Sequence, residues 1–405
     1  MLYNLYKAEN KIKCMSITSF LTGDSGIISF ILMMIFFFLY PRMMIWQMTY
    51  KLDSDLKELD GYRKASEEYV LKKISDKPDT KQRNAVKNFM DFFIAPPVDL
   101  DPYGIVQKIE HIMNESERRF SYFVESVAPK MSAVEKANLK FAIIGAMGVN
   151  QIYKIIRHYV IMTKKTNNLQ YAMMLQMIMP MIMKVAKANT KATKAFADGT
   201  PIGDAIGPMV AASLKTKEGE EVAKDVVVSK ESFAGSTVYV LKAKGPGSAL
   251  GKLGKAVEAL HKKEKIDHII TIDAAGKLEG EETGSIAEGV GVMMGGVGVE
   301  RSQIEEVAVK YDIPTDGVAI KMSPDEASIP LKKEVFDAQD NVVKILERLV
   351  TETKKKHILI IGVGNTCGVG NTKASLKDID EKLKPIWKAQ KKEEEEEKKK
   401  EKKWF

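Results

Sequence analysis

The chain has 405 residues, which is enough for two or three domains with sizeable cores. Hydrophobic residues make up 45% of it and charged residues 29%, a balance that is typical of globular proteins and excludes a largely disordered chain. The net charge of +8 is spread along the chain, without an arginine-rich run among aromatic residues, so we expect no nucleic-acid partner. The only cysteines, Cys14 and Cys367, exclude a disulfide framework and a cysteine-based zinc site, and they indicate a reducing compartment.

The first predicted element is a transmembrane helix over residues 26–46, after an N-terminal segment of residues 1–25. The 17 residues between Asp24 and Arg42 carry no charge. That length is at the lower edge of what crosses about 30 Å of hydrocarbon, but Arg42 can reach the headgroups and leave Trp46 in the interface. The alternatives are a signal peptide and a buried core helix. No small-residue cleavage site follows the segment, and a run with so many aromatic residues is unusual in a core helix. We therefore expect an uncleaved span that binds the lipid bilayer.

The charges on either side of the span bear on its orientation. If translation begins at Met1, three lysines precede the span and three basic residues follow it, which decides nothing. If translation begins at Met15, the leading flank has no basic residue, and the positive-inside rule then places everything after Arg42 in the cytoplasm. The unpaired cysteines agree with this. We predict a single-pass protein of the cell membrane with the bulk of the chain cytoplasmic.

Residues 50–198 are predicted to form an all-α module. Apolar residues between 52 and 74 recur at three- to four-residue spacing, which predicts an amphipathic helix that ends before Pro78 and favours a homo-oligomer. The protein partner, if there is one, is unknown. After a proline-punctuated break at residues 92–104, helices are predicted over residues 105–113, 116–127, 133–163 and 169–197.

The last of these helices contains a methionine-rich stretch, YAMMLQMIMPMIMK, at residues 171–184. Its 13 uncharged residues are too few to cross a membrane and include Gln176 and Pro180. The sequence favours a buried helix that is kinked at Pro180. A patch that faces the membrane surface or a partner is the alternative.

Residues 199–388 are predicted to form an α/β domain with a parallel-rich sheet covered by helices, because short apolar strands alternate with helical patterns. Strands are predicted over residues 225–229, 236–243, 268–275, 317–322 and 357–364, and helices over residues 251–263, 304–311 and 332–355. The charged tail, residues 389–405, is predicted to be a solvated helix end or disordered.

Three glycine-rich segments of this domain are candidates for a ligand site: PIGDAIGP at residues 201–208, IDAAGKLEGEETGSIAEGVGV at 272–292 and GVGNTCGVGN at 362–371. The last two follow predicted strands, and ligands of open sheets gather at the carboxyl ends of strands. Glycines there let backbone N–H groups approach a ligand. The candidate ligand-binding residues are Gly203, Gly207, Gly276, Gly284, Gly362, Gly364 and Asn365.

Two acids in these segments, Asp204 and Asp273, are the candidate catalytic residues. Two carboxyl groups brought together have their pKa values pushed apart, which suits them to acid–base chemistry. The five histidines (His111, His158, His261, His268, His357) show no ligand spacing, so we predict no metal and no other cofactor.

The turns GDAIGP, IDA and GVGN resemble those of one α/β fold, shared by hydrogenase-maturation endopeptidases, germination (spore) proteases and a related sporulation family. In that fold, two acids face each other across the site. The resemblance implies that Asp204 and Asp273 are those acids, with Asn365 in the glycine-rich turn. It covers about 180 residues. The GVGN strand comes last here instead of first, so the resemblance also implies a circular permutation.

Taken whole, the chain resembles an uncharacterised archaeal membrane-protein family, domain of unknown function 1512. The N-terminal span, LDPYGIV at residues 100–106 and the three glycine-rich segments carry this resemblance. It extends over nearly the full length, and it implies no activity.

Each motif also has a plainer interpretation. Asp204 is placed to cap a helix, Asp273 to hydrogen-bond a turn, and the glycines of residues 289–298 to allow tight packing. Residues 245–252 and 362–368 miss the spacing of phosphate-binding loops by one residue, which leaves a phosphate ligand at the second turn open. Two functions follow from the sequence: a membrane-anchored scaffold or small-ligand sensor, which the sequence favours slightly, and a peptidase-like hydrolase that uses Asp204 and Asp273.

Overall fold

The computed structural model describes residues 24–98 and 103–401. The predicted segment 1–25 therefore lies almost wholly outside the described residues, as do both candidate start sites, Cys14 and the end of the tail. The chain divides into two compact units. One contains residues up to 60 together with 153–183, and the other contains residues 61–152 and 184–405.

The first unit is helical. It contains the start of α1 (Asp24–Ile74), the end of α4 (Ala133–Thr166) and the start of α5 (Leu169–Asp198). The predicted span and the amphipathic helix after it form one continuous helix, α1, with no break between residues 46 and 50. The buried side chains of this unit include Leu52, Leu59, Val160, Leu175 and Met179.

Three helices of the described chain are long and apolar enough to cross a membrane. They lie over Ser29–Ile74, Ala133–Thr166 and Leu169–Asp198. The prediction of an apolar N-terminal helix is confirmed at this coarse level. The prediction of a buried methionine-rich helix is wrong for one face of α5, because Met173, Met174, Met177 and Met181 are exposed. Pro180 does lie inside the helix.

The second unit begins with a helical layer. It includes α2 (Thr80–Phe89) and α3 (Ile105–Val127), which replaces the two helices predicted over residues 105–127. Apolar side chains such as Phe120, Leu139 and Phe196 form its core. Cys367, from the glycine-rich turn of the α/β part, lies fully buried in the same core.

A seven-stranded sheet follows, in the order β1-β2-β3-β7-β4-β6-β5. The strands are β1 (Glu220–Ala223), β2 (Val226–Phe233), β3 (Ser236–Ala243), β4 (His268–Gly276), β5 (Ile286–Val290), β6 (Thr315–Met322) and β7 (Ile358–Gly362). The four central strands β3, β7, β4 and β6 are parallel, and the remaining pairs are antiparallel. This confirms the predicted α/β fold and its five predicted strands, and it adds β1 and β5, which were not predicted.

Helices cover both faces of the sheet, as expected for buried parallel strands. On one face pack α6 (Ile206–Leu214) and α10 (Lys333–Thr353), and on the other α7 (Leu253–Glu264) and α8 (Val299–Tyr311). The short helix α9 (Pro324–Ser328) follows β6, and α11 (Ile379–Glu401) ends the described chain.

The predicted charged tail is helical as far as the structure describes it, and it is attached to the second unit. The Trp387 indole N–H of α11 donates to the Leu331 carbonyl oxygen at 2.8 Å. Glu393 forms ion pairs with Lys187 and Lys191, each at 2.6 Å.

Candidate active site

The sheet order reverses at its centre, which is where a doubly wound fold places its ligand. Helix α7 carries the chain from β3 to β4 on one face, and α10 carries it from β6 to β7 on the other. Strand β7 is therefore inserted between β3 and β4, with Gly362 opposite both Lys242 and Ile272. Ligands of such sheets bind at the carboxyl ends of the strands, beside this reversal.

Helix α6 packs on this point through two glycines that allow backbone to meet backbone. A Cβ at Gly207 would lie 2.1 Å from the Val363 carbonyl oxygen and 2.6 Å from that of Ile272. A Cβ at Gly362 would lie 2.5 Å from the Gly207 carbonyl oxygen. Only glycine fits at both positions. The absence of side chains there lets the start of α6 pack directly on the ends of β4 and β7.

Asp204 lies in the short 3-10 turn Gly203–Ala205 that leads into α6. Its Oδ2 atom accepts a hydrogen bond of 2.8 Å from the backbone N–H of Asn365 in the turn after β7. The residue that caps α6 is Ala205, and the helix has no side-chain cap. The interpretation of Asp204 as a helix cap is therefore wrong, and its carboxylate instead bridges to a turn 161 residues away.

Asp273 lies near the end of β4 and is only 3% exposed. Its Oδ1 accepts from the backbone N–H of Ala274 and its Oδ2 from that of Gly295, both at 2.7 Å. The second bond links β4 to the glycine-rich loop before α8. The interpretation of Asp273 as a residue that hydrogen-bonds a turn is confirmed.

Asp204 lies close enough to Asp273 to raise its pKa. Burial raises the pKa of Asp273 to about 7, with a further contribution from the charge of Asp204. Burial also raises the pKa of Asp204, against the lowering effect of the Asn365 N–H. Near neutral pH Asp273 is therefore partly protonated, and burial disfavours the ionised form of both carboxyl groups.

Five of the six glycines predicted to bind a ligand have a packing role. Gly207 and Gly362 are described above. Close backbone oxygens also exclude a side chain at Gly203 (Glu326), Gly364 (Asp204) and Gly284 (Glu334). Only Gly276 has no atom within 4 Å of an added Cβ. The prediction that these glycines bind a ligand stays a prediction, and Gly276 is where a ligand has room to approach.

Most N–H groups of the glycine-rich turn after β7 are hydrogen-bonded, chiefly to other segments of the chain. The N–H groups of Val363, Thr366, Gly368 and Val369 donate to backbone oxygens, that of Asn365 to Asp204, and that of Cys367 to the Asn365 side chain. Asn365 is therefore a turn residue that positions Asp204. Burial raises the pKa of the Cys367 thiol to about 11, so it is not a nucleophile.

The loop over residues 289–298 differs from the tightly packed turns. An added Cβ would meet nothing within 4 Å at Gly289, Gly291, Gly296 or Gly298. The last three have positive φ, so their glycines serve backbone conformation and not packing, which corrects the packing interpretation. The loop is held over Asp273 by Gly295, and by a 2.7 Å bond from the Met293 N–H to the Thr271 hydroxyl.

No group of three His, Cys, Asp or Glu side chains is positioned to hold a metal ion within the described ranges. His268, at the start of β4, contacts Asp316 at 2.8 Å and Thr353 at 3.0 Å and is part of the packing at the opposite end of the strand.

Two buried lysines beside the site were not found from the sequence. Lys242, at the end of β3, donates to the Ala243 carbonyl oxygen at 2.8 Å and to Asn371 at 3.0 Å. Lys215 follows α6 and is fully buried, and its Nζ has no hydrogen-bond partner. Burial lowers the pKa of Lys242 to about 7 and that of Lys215 to about 8. Because lysine is rarely buried without a partner, the sequence gives no reason to expect these two side chains in the interior.

Comparison with protein families gives two matches, which meet where the α/β part begins. Residues 26–199 match the model described as a protein of unknown function (DUF1512), N-terminal domain. Residues 202–370 match the model described as a domain of unknown function (DUF1512), C-terminal. No curated protein and no solved structure matches the chain. The resemblance to the peptidase fold therefore stays a prediction.

Proposed function

The chain belongs to the DUF1512 family of proteins of unknown function, and we propose its function from the geometry of the candidate active site. It is a membrane-anchored hydrolase in which Asp204 and Asp273 activate a water molecule at the carboxyl end of the sheet. The observation that carries this proposal is the pair of desolvated carboxyl groups at the strand-order reversal, where the charge of Asp204 raises the pKa of Asp273. The exposed apolar residues at the start of α1 support the anchor.

The proposed chemistry needs one proton on this pair of acids, so that one is protonated and the other ionised. The ionised carboxylate accepts a proton from water as the water oxygen attacks a substrate carbonyl carbon, and the protonated carboxyl group donates its proton to the carbonyl oxygen. When the bond to the leaving group breaks, the proton taken from water passes to that group, and the hydroxyl group formed from the carbonyl oxygen returns its proton to the acid that donated it. The N–H groups of Val363 and of residues 365–369 are already bonded, so stabilisation of the oxyanion falls to the protonated acid and to the Gly364 N–H.

A second candidate function is a small-ligand sensor or scaffold. The observation that favours it is that both oxygens of Asp273 already accept backbone N–H groups, one of them from the glycine-rich loop. In a sensor, this bond would report ligand binding by releasing or holding the loop. A sensor needs the same residues but no bond cleavage.

The hydrolase is tested with the full chain in lipid nanodiscs, incubated with a peptide and ester library and analysed by mass spectrometry. We expect cleavage that Asp204→Asn and Asp273→Asn each reduce by at least about 100-fold, since general acid–base catalysis contributes about 10²–10⁴-fold. Cleavage should also decline as the pH rises through about 7, because Asp273 then loses its proton.

A matched control is Asp312→Asn, which changes an exposed acid at the end of α8. Asp312 has a positive φ, a conformation that asparagine tolerates, so full activity is expected. Because the Asp273 pKa is raised on folding, the stability of the wild type should fall as the pH rises from about 4 to 7. This fall should be smaller in Asp273→Asn. Cleavage at the wild-type rate in both site variants would refute the hydrolase. Ligand binding without cleavage, lost in both variants, would instead establish the sensor.

A further inference from the structure

The hairpin formed by the end of α4 and the start of α5 presents an apolar face that the proposed active site does not use. Met173, Met174, Met177 and Met181 recur at three- to four-residue spacing along α5 and are exposed, Met177 by 77%. Leu175 and Met179, on the other side of the helix, are buried. The helix therefore has its own core contacts, and a contiguous apolar surface of this kind marks an interaction site.

Helix α4 extends this surface, and the same helix adds positive charge. Ile155, Tyr159 and Met162 are exposed at positions i, i+4 and i+7. The exposed Lys165, three residues after Met162, adjoins them on the surface of the helix. We call the four methionines of α5 and these three apolar residues of α4 the methionine face. Exposed Met, Ile and Tyr side chains beside a lysine are typical of segments that lie at a membrane surface.

The methionine face lies beside the end of the proposed membrane anchor. The Gln176 side chain donates to the Met48 carbonyl oxygen of α1, in the same compact unit, at 3.4 Å. Met173, Met174 and Met177 are within one helical turn of Gln176. On α1, the exposed Trp46 and Tyr50 flank Met48 and stack with ring centroids 6.1 Å apart. Paired exposed aromatic rings after an apolar helix mark the headgroup level, so the methionine face lies at that level.

We propose that the methionine face inserts into the interface of the leaflet in which α1 ends, and that it binds anionic lipid there through Lys165. This inference rests on the proposed membrane anchor and adds a second lipid contact to it. The competing occupant is a second copy of the chain. Lipid is favoured because the exposed Trp46 and Tyr50 place this face at headgroup level, where lipid is available to cover it.

The experiment measures what surrounds the methionine face in the full chain. Single nitroxide labels are placed by Met174→Cys or Met177→Cys in a Cys14→Ser background, in nanodiscs that contain anionic lipid. Cys367 stays unlabelled because it is buried and its thiol pKa is raised. Phe37→Cys reports on the anchor, and Lys344→Cys, an exposed residue of α10, reports on water. Collision rates with oxygen and with a water-soluble nickel chelate are compared.

We expect the labels at positions 174 and 177 to collide several-fold more with oxygen relative to nickel than the label at 344. The reverse, with lipid exposure kept at 37, overturns this inference and leaves the anchor intact. Water exposure at both 37 and 174 overturns the anchor as well. Shielding of 174 from both reagents, with label–label broadening that disappears on dilution with unlabelled chain, assigns the face to a second copy and overturns the inference.

Discussion

Lys215 places an ammonium group in the protein interior with no hydrogen-bond partner. Desolvation lowers its pKa from 10.5 to about 8, although Glu231 and Glu218 act in the opposite direction. Lys242 is nearby, and the charge of Lys215 adds to the lowering of its pKa. Each lysine is therefore easier to protonate in the unfolded chain than in the folded one.

Lys215→Met should stabilise the protein at pH 7, by on the order of 3 kcal/mol if the shift of its pKa is the main cost of the buried charge. Between about pH 8 and 10.5 the unfolded wild type binds more protons than the folded one, so its stability rises with pH over that range. This rise should be smaller in Lys215→Met. Thermal unfolding of the full chain in nanodiscs at pH 7 and pH 10 measures both effects.

The control for this prediction is Lys244→Met, on the turn after β3. Lys244 is half exposed and pairs with Glu221 at 2.8 Å, and this pair raises its pKa. The variant should change stability by less than about 1 kcal/mol and should leave the rise above pH 8 in place. Destabilisation by Lys215→Met at pH 7 would mean that the ammonium has a favourable partner in the folded protein.

At the scale of elements, the position of α6 depends on glycine more than on apolar burial. Gly207→Ala should destabilise the protein by about 3 kcal/mol or more, because the added methyl group meets two backbone oxygens that have no rotamer to relax into. It should also lower the cleavage activity, since Asp204 directly precedes α6. Denaturant unfolding and the peptide library assay measure the two effects.

Gly289→Ala, in β5, is the matched substitution. It meets no atom within 4 Å and lacks a positive φ, so its stability should be within about 0.5 kcal/mol of the wild type. If the two variants were equally stable, the start of α6 would be free to move away from the sheet. The packing of α6 on the sheet would then not fix the position of Asp204 relative to Asp273.

The strands that were predicted and those that were missed differ in burial. β3, β4, β6 and β7 are central strands with apolar runs, and a run such as HILII is recognisable because both of its faces are covered. β1 and β5 are edge strands with largely exposed residues, EEVA and IAEGV, which carry no such signal. The two predicted helices at residues 26–74 are one helix, because neither Pro41 nor the change of composition ends it.

At the scale of the whole molecule, the candidate site was only partly predictable. Asp204 and Asp273 were identified because acids in glycine-rich turns at strand ends converge in an open α/β sheet. Their partners, the Asn365 and Gly295 N–H groups, belong to segments 161 and 22 residues away, and no local pattern encodes such pairing. The burial of Lys215, Lys242 and Cys367 likewise depends on packing between distant segments.

The C-terminal helix α11 provides one more long-range link to this site. Trp387 and Gln390 donate to the carbonyl oxygens of Leu331 and Pro330, each at 2.8 Å. The same short segment pairs with the residues that precede Asp204: the Leu331 N–H donates to Pro201 at 2.9 Å, and the Gly203 N–H to Ile329 at 3.0 Å. Helix α11 is thus hydrogen-bonded to residues 330–331, and the segment that contains them is hydrogen-bonded to the residues just before Asp204.

Trp387→Ala should therefore loosen the segment before Asp204, although the two are far apart in sequence. We expect hydrogen exchange at the Gly203 and Leu331 amides to accelerate by at least about tenfold, which corresponds to about 1.4 kcal/mol of local stability. Trp387→Phe keeps the contact with Phe336 and loses only the indole N–H, so its effect should be smaller.

Glu393→Gln separates this packing from the surface charges of the same helix. It removes the ion pairs with Lys187 and Lys191, whose side chains are about one-third exposed, and such pairs contribute only about 0–1 kcal/mol. Exchange at Gly203 should therefore change by less than about fivefold in this variant. Equal acceleration in Glu393→Gln and Trp387→Ala would show that charge, and not the Trp387 contact, fastens α11, and the link to Asp204 would then depend on salt concentration.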